Sequence, residues 1–106
     1  MNVGLTERHG LGDEMVCVFS RKVPEPLDFS TQFKKCLEFL KTHSRTIRDA
    51  ERLNLYVTGL TPLLTSFLQA WAYQPTRGLN RLDNVSLVLM HYDKENDDWV
   101  SQRWES

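Results

Sequence analysis

Residues Leu53 to Trp71 read LNLYVTGLTPLLTSFLQAW and predict a strand that leads directly into a helix. The run Leu53 to Val57 is apolar and rich in residues that favour strands, so it predicts a buried strand. Gly59 marks a turn, and Thr61 followed by Pro62 is typical of a helix start. A strand that turns through glycine into a helix is a common unit of α/β folds.

The start of this predicted helix suits a negatively charged ligand. The first backbone N–H groups of a helix have no partner within it, and the helix dipole adds about half a positive charge there. Phosphate groups bind at such helix ends in many α/β proteins. We therefore expect Thr58, Gly59, Leu60 and Thr61 to bind an anion. The same residues are also compatible with an ordinary turn and helix cap.

The rest of the chain continues the alternation of strands and helices. Met15 to Phe19 and Val85 to Met90 are apolar runs that predict two further buried strands. Phe29 to Lys41 carries apolar residues at helical spacing and predicts a helix. Trp99 to Trp104 alternates with a period of two, which predicts a hairpin with the preceding strand. Met1 to Thr6 is a further strand candidate.

This order predicts an α/β fold, namely a small Rossmann-like three-layer domain. The apolar runs beginning at Met15, Leu53 and Val85 would form a three-stranded parallel core, since strand–helix–strand crossovers join parallel strands. One or more antiparallel strands would extend the edges, with a hairpin at the C-terminal end. A chain of 106 residues suits one domain and one core, so we predict a single domain over residues 1–106.

Composition and charge exclude several functional classes. The net charge of -1 argues against a dedicated binder of duplex nucleic acid, which usually carries a strong basic excess. No apolar stretch reaches the ~20 residues of a membrane span, and the N-terminus lacks the apolar core of a signal peptide. Cys17 and Cys36 lack the spacing of a metal site, so we predict no metal and no cofactor. Both cysteines lie in apolar segments, and two buried free thiols suit a reducing cytoplasm.

Ligands of open parallel sheets bind outside the carboxyl ends of the strands. The residues that follow the three predicted core strands are Ser20, Arg21 and Lys22, then Thr58, Gly59, Leu60 and Thr61, then His91, Tyr92 and Asp93. We expect these groups to converge on one edge of the sheet. Each also has a plainer interpretation, because loop arginines and lysines are commonly solvated and a histidine at a strand end is commonly just hydrogen-bonded.

The segment Asn54 to Pro62 resembles the core motif of CRISPR-associated Rossmann-fold (CARF) domains. That motif is an apolar strand followed by Thr-Gly-Gly-Thr and then Lys or Arg at the start of a helix. Val85 to Val100 is also similar to the terminal strand and hairpin of these domains. Two positions depart from the motif: Leu60 replaces the second glycine, and Pro62 replaces the basic residue.

The resemblance implies a function. CARF domains bind cyclic oligoadenylates, the second messengers of type III CRISPR defence, and small stand-alone relatives are ring nucleases that cleave the messenger without a metal. By this likeness the protein would be a cytoplasmic homodimer that binds cyclic tetra- or hexaadenylate. Ser20, Arg21 and Arg77 would join the Thr58–Thr61 turn as ligand-binding residues.

Cleavage by attack of a ribose 2′-OH on the adjacent phosphate requires charge neutralisation and proton transfer. Arg21 or Lys22 would neutralise charge, and His91 or His9 would transfer the proton, because imidazole titrates near neutral pH. The missing basic residue at Pro62 favours an alternative, a non-catalytic binding module. Such a module would sequester the messenger or act as a protein-interaction subunit or inhibitor. A third possibility is a small hydrolase that acts on another phosphorylated substrate, but no motif in the sequence supports it.

Overall fold

The structure of the protein, a computed structural model, describes residues 1–7, 15–19, 27–58, 61–73, 82 and 84–104. Strands and helices alternate along most of this part of the chain. In chain order they are β1 (Asn2–Thr6), β2 (Val16–Phe19), α1 (Phe29–Thr42), α2 (Ser44–Ala50), β3 (Arg52–Tyr56), α3 (Thr61–Tyr73), β4 (Ser86–Asp93) and β5 (Asp98–Arg103).

The strands form a mixed sheet in the order β2-β1-β3-β4-β5. β1 pairs in parallel with β2 and β3, β3 pairs in parallel with β4, and β5 closes the hairpin antiparallel to β4. The α/β class, the parallel pairing and the C-terminal hairpin predicted from the sequence are confirmed. The three-stranded parallel core is corrected to four parallel strands, because β1 lies inside the sheet rather than at an antiparallel edge.

Apolar packing explains the inner position of β1. Val3 pairs with Leu55, and Leu55 pairs with Leu89, so the three side chains form one row across β1, β3 and β4. Val3 and Leu55 are fully buried and Leu89 is nearly so. An edge strand would leave one flank of such a row open to water, and burial of the row favours the inner position.

The edge position of β2 corrects a second expectation. The apolar run from Met15 to Phe19 predicts a strand buried on both faces, but Val16 is 41% exposed and Cys17 is half-buried. An edge strand has a neighbour on one side only, so less of its surface is covered. Cys36, in contrast, is buried within the core, and burial raises the pKa of its thiol to about 12.

Helix α1 begins after an N-cap at Asp28. The Asp28 carboxylate accepts hydrogen bonds from the Thr31 N–H at 3.2 Å and the Thr31 hydroxyl at 2.8 Å, and these bonds lower the pKa of Asp28. Cys36 and Leu40 are buried, as the helical spacing predicts. Phe29 is 55% exposed and does not belong to the buried stripe, because it is the first residue of the helix.

The polar stretch after α1 forms the separate helix α2. Its Ile47 is fully buried, and the helix ends at Glu51 in a left-handed conformation with φ 61°. Helix α3 packs against α1, where the buried Ser66 hydroxyl donates to Gln32 Oε1 at 3.2 Å.

A single core lies between the helices and one face of the sheet. It contains side chains of all three helices together with Val3, Leu5, Leu53, Leu55, Leu87 and Leu89 from the strands. Within the described residues the helices therefore form one layer on one side of the sheet. The predicted three-layer arrangement is reduced to two layers in this part of the chain.

We expect Leu55→Ala to lower the free energy of unfolding by about 2–5 kcal/mol, because it opens a cavity in the central row of the core. Leu27→Ala is the control, since Leu27 is 71% exposed and its truncation should change stability by less than about 0.5 kcal/mol. Urea unfolding followed by circular dichroism measures both values. Equal stabilities of the two variants would contradict the central position of Leu55.

Candidate ligand site at the carboxyl edge of the sheet

The strand order reverses between β1 and β3. The chain leaves β1 towards β2 on one side, whereas it leaves β3 through α3 towards β4 on the other side. Open α/β sheets commonly bind their ligands at the carboxyl ends of the strands at such a reversal. β1 ends at Thr6 and β3 ends at Tyr56, so the residues at and just after these positions lie at the reversal point.

Thr6 and Thr58 join the two strands at this point. The Thr58 hydroxyl accepts hydrogen bonds from the Thr6 N–H at 3.0 Å and from the Thr6 hydroxyl at 3.1 Å. It donates to the Thr6 carbonyl oxygen at 2.9 Å. Both residues are buried, with exposed fractions of 6% for Thr6 and 2% for Thr58. The bonds extend the β1–β3 contact beyond the last paired residues of the ladder.

These bonds redefine the role predicted for Thr58. A hydroxyl group donates one hydrogen bond and accepts two, and the Thr58 hydroxyl makes all three with Thr6. Its side chain therefore has no free position for a ligand. Thr58 fixes the direction in which the chain leaves β3, and ligand binding by this residue stays a prediction for its backbone only. Thr6, which the sequence did not single out, is the other half of this contact.

Helix α3 begins close to this corner. Its first residue is Thr61, whose side chain is exposed and whose carbonyl oxygen accepts the Thr65 hydroxyl at 3.3 Å. Only residues 57–60 separate the end of β3 from the helix. The short connection keeps the positive end of the helix dipole at the carboxyl edge of the sheet.

His91 lies at the same edge, on β4. Tyr56 pairs with Met90, and the Val57 N–H donates to the Met90 carbonyl at 2.9 Å, so His91 is the first residue of β4 beyond the paired part of β3. Alternation along the strand places His91 on the same face as Leu89, which is the face that carries the helices.

The imidazole of His91 has a definite partner. Its Nε2 lies 2.7 Å from Oε1 of Gln102, across the β4–β5 hairpin. A carbonyl oxygen only accepts, so in this amide orientation the Nε2–H group of the ring is the donor to Gln102. The sequence did not identify Gln102, although the alternation in Trp99 to Trp104 would place it on the His91 face once the hairpin register is known.

Three aromatic rings form a cluster on the opposite face of the sheet. Trp99 contacts Tyr56 edge-to-face with ring centroids 5.0 Å apart, and it contacts Tyr92 with centroids 5.3 Å apart. Tyr92 is 36% exposed, and its hydroxyl donates to Asp97 in the hairpin turn. Tyr56 is two residues before Thr58, so this aromatic cluster adjoins the corner formed by β1 and β3.

Residues 94–97 form the turn of the hairpin between β4 and β5. The Asp93 carboxylate accepts the Asn96 side-chain amide at 2.7 Å and the Glu95 N–H at 3.0 Å. The bond from Asn96 is the main cause of the lowered pKa of Asp93. The turn therefore projects beyond the sheet in an ordered form and holds β4 and β5 in register around His91.

Several predicted site residues lie outside the described residues, and their roles stay predictions. They are His9, Ser20, Arg21, Lys22, Gly59, Leu60 and Arg77. The sequence predicts that the residues after β2 lie next to those after β3, but β1 separates these two strands. The end of β2 at Phe19 lies two strand spacings, roughly 10 Å, from β3 rather than one.

The described ranges contain neither a metal-binding cluster of side chains nor a membrane-spanning helix. No group of three or more His, Cys, Asp or Glu side chains there is arranged to hold a metal ion. None of the helices described is both long enough and apolar enough to cross a membrane. Comparison of the chain with known family models, curated proteins and solved structures yields no match.

We expect Thr58→Val to lower the free energy of unfolding by about 1–3 kcal/mol, because it leaves the buried N–H and carbonyl of Thr6 without their partner. Thr58→Ser keeps the hydroxyl and loses only a methyl group, so its cost should be about 1 kcal/mol or less. Urea unfolding of the two variants measures the difference. A valine variant as stable as the serine variant would show that these hydrogen bonds do not hold the corner.

Proposed function

We propose that the protein has a Rossmann-like, CARF-like fold and that it binds a cyclic oligoadenylate at the carboxyl edge of its sheet and cleaves it without a metal. The observation that carries this proposal is the reversal of strand order between β1 and β3, with α3 beginning shortly after the end of β3. It supports the anion site that the Thr58–Thr61 turn predicts. A protein with this function acts in the cytoplasm, where the messenger is made and removed.

The corner of β1 and β3 supports phosphate binding by being rigid. The Thr6–Thr58 hydrogen bonds fix the chain just before the turn that starts α3. A fixed corner holds the helix dipole and the amide groups around Thr61 in place before the ligand arrives. Preorganised donors of this kind bind an anion with little loss of conformational entropy.

The aromatic cluster of Tyr56, Tyr92 and Trp99 supports a ligand that carries bases as well as phosphates. Aromatic side chains are common stacking surfaces for nucleic acid bases, and one such contact contributes about 1–3 kcal/mol. The cluster adjoins the corner and is partly exposed at Tyr92. An adenine stacked there would lie on the other side of the carboxyl edge from His91, which is on the helix face of the sheet.

His91 is proposed as the group that transfers the proton. In the cleavage step the 2′-oxygen of a ribose bonds to the adjacent phosphorus while the bond from phosphorus to the 5′-oxygen breaks. The 2′-OH releases a proton to a base, and the leaving 5′-oxygen takes up a proton, which yields a linear product with a cyclic phosphate end. Nδ1 of His91 is a suitable base, because Gln102 holds the ring through Nε2.

The direct test is incubation of the protein with cyclic tetraadenylate and cyclic hexaadenylate in EDTA, with binding measured by calorimetry and products separated by chromatography. We expect tight binding of one ring and a linear product that ends in a 2′,3′-cyclic phosphate. No binding of either ring would contradict the proposal. Binding without a product supports the second candidate function, a module that only sequesters the messenger, which the absence of a basic residue at Pro62 favours.

Variants of His91 and of its hydrogen-bond partner Gln102 test the proposed chemistry. We expect His91→Ala to lower the cleavage rate about 10²–10⁴-fold with little change in affinity, since general acid–base catalysis contributes on that scale. Gln102→Leu should lower the rate because it frees the ring, whereas Gln102→Glu keeps an acceptor for Nε2 and should retain activity. His43→Ala, at the end of α1, is the control for loss of an imidazole. Unchanged turnover in His91→Ala would exclude this residue as the proton-transfer group.

A further inference from the structure

β5 is one of the two outer strands of the described sheet, opposite β2, and its pairing is regular. It pairs with β4 without interruption from Asp93↔Asp98 to Val88↔Arg103. No proline or bulge occurs between Asp98 and Arg103, although natural proteins commonly use both to protect an outer strand from pairing. All of its side chains except that of Trp99 are exposed, and Val100 is 54% exposed.

The backbone direction shows which groups of β5 face outwards. The Trp104 N–H donates to the Leu87 carbonyl at 2.9 Å, so Trp104 points towards β4. Residues two apart on a strand point the same way, and Trp99, Ser101 and Arg103 therefore direct their N–H and carbonyl groups away from β4. The Trp99 N–H agrees with this direction, because it donates to the exposed Asp98 side chain at 2.8 Å rather than to β4.

The charges of the strand are complementary to a second copy running in the opposite direction. Asp97 and Asp98 lie at its start, and Arg103 lies at its end. Antiparallel pairing of two such strands brings the acidic start of one beside the basic end of the other. A parallel arrangement would instead place like charges together, which is destabilising.

We propose that β5 pairs antiparallel with β5 of a second copy of this chain about a two-fold axis at Val100. In this register Val100 lies opposite Val100 of the partner subunit, Trp99 lies opposite Ser101 of the partner subunit, and Arg103 lies opposite Asp97 of the partner subunit. The two five-stranded sheets become one continuous sheet. The same residues serve both sides, as a two-fold dimer requires.

This register uses each feature of the edge. Trp99 and Ser101 exchange backbone hydrogen bonds with the partner, and the Trp99 N–H exchanges its bond to Asp98 for one to a carbonyl oxygen. Val100 directs its own N–H towards β4, so it forms a non-hydrogen-bonded pair with its copy. Such pairs bring Cα atoms to about 4.5 Å, which buries the exposed valine side chains against each other.

One consequence concerns the proposed site. His91 pairs with Val100 within each chain, so His91, Val100 and their two copies lie in a single row across the joined sheet. The two histidines lie on the same face and three strand spacings, about 14 Å, apart. A cyclic ligand with two-fold symmetry on that face would meet both of them. This consequence rests on the proposed function, whereas the strand pairing itself does not.

Sedimentation velocity and light scattering without ligand, from about 1 µM to about 1 mM protein, test the pairing. We expect a dimer that dissociates on dilution, and Val100→Lys should raise its dissociation constant at least about tenfold, because two ammonium groups would face each other at the axis. Ala50→Lys is the matched control, since Ala50 is an exposed residue of α2, and it should leave the constant unchanged. Circular dichroism checks that both variants are folded.

Val100→Cys in a Cys17→Ser background gives a second, independent measurement. Cα atoms about 4.5 Å apart lie within the range that a disulfide spans, so mild oxidation should yield a covalent dimer. Ser101→Cys should not yield one, because Ser101 lies opposite Trp99 of the partner rather than its own copy. A monomer at every concentration, a dimer equally strong in both lysine variants, or cross-linking favoured at residue 101 would overturn the proposal. None of these outcomes depends on whether a nucleotide binds.

Discussion

The hydrogen bonds between Thr6 and Thr58 hold together the two central strands of the sheet where the strand order reverses. Both side chains are buried, and the Thr58 hydroxyl makes every hydrogen bond available to it. Breaking this contact would cost free energy, because it would leave buried polar groups of Thr6 without hydrogen-bond partners. The ends of β1 and β3 are therefore held in a fixed relative position just before α3 begins. The proposed function depends on that corner more than on any single charged side chain.

The sequence predicts elements well where local pattern and tertiary packing agree. Leu53 to Trp71 forms β3 and α3 as expected, because its apolar residues suit a buried strand and then a helix with one buried face. The sequence also predicts a strand at Met1 to Thr6, and β1 is present there, but its position is not predicted. The inner position of β1 is determined by parallel pairing on both sides with β2 and β3. Such long-range pairing is not a local property of the sequence.

The candidate ligand site also combines features that follow from local sequence pattern with features that depend on long-range pairing. The edge of the sheet and the position of His91 follow from the alternation of strands and helices, since the carboxyl ends of parallel strands share one edge. The hydrogen-bond partners of the site residues cannot be predicted from that alternation. Thr6 and Thr58 are 52 positions apart, and only the insertion of β1 beside β3 brings them together. Gln102 contacts His91 because of the exact hairpin register, in which a shift of one residue would move it to the other face.

The edge strand β5 and the corner of β1 and β3 have complementary roles in the proposed function. The corner would bind the phosphate, the hairpin carries the histidine, and the outer strand would bring a second copy into contact beside it. Each part uses backbone geometry rather than a cluster of charges, which suits a protein whose net charge is -1.

Ligand binding at the carboxyl edge can be measured residue by residue by amide mapping by NMR during titration with cyclic tetraadenylate and cyclic hexaadenylate. We expect one ring to shift the amide signals of Thr6, Thr58, Thr61 and His91, at the carboxyl edge, and to leave those of Asn2 and Arg52, at the opposite edge, unchanged. Shifts confined to the amino edge or to the outer surface of α1 and α3, or no shift with either ring, would contradict the proposed binding at the carboxyl edge.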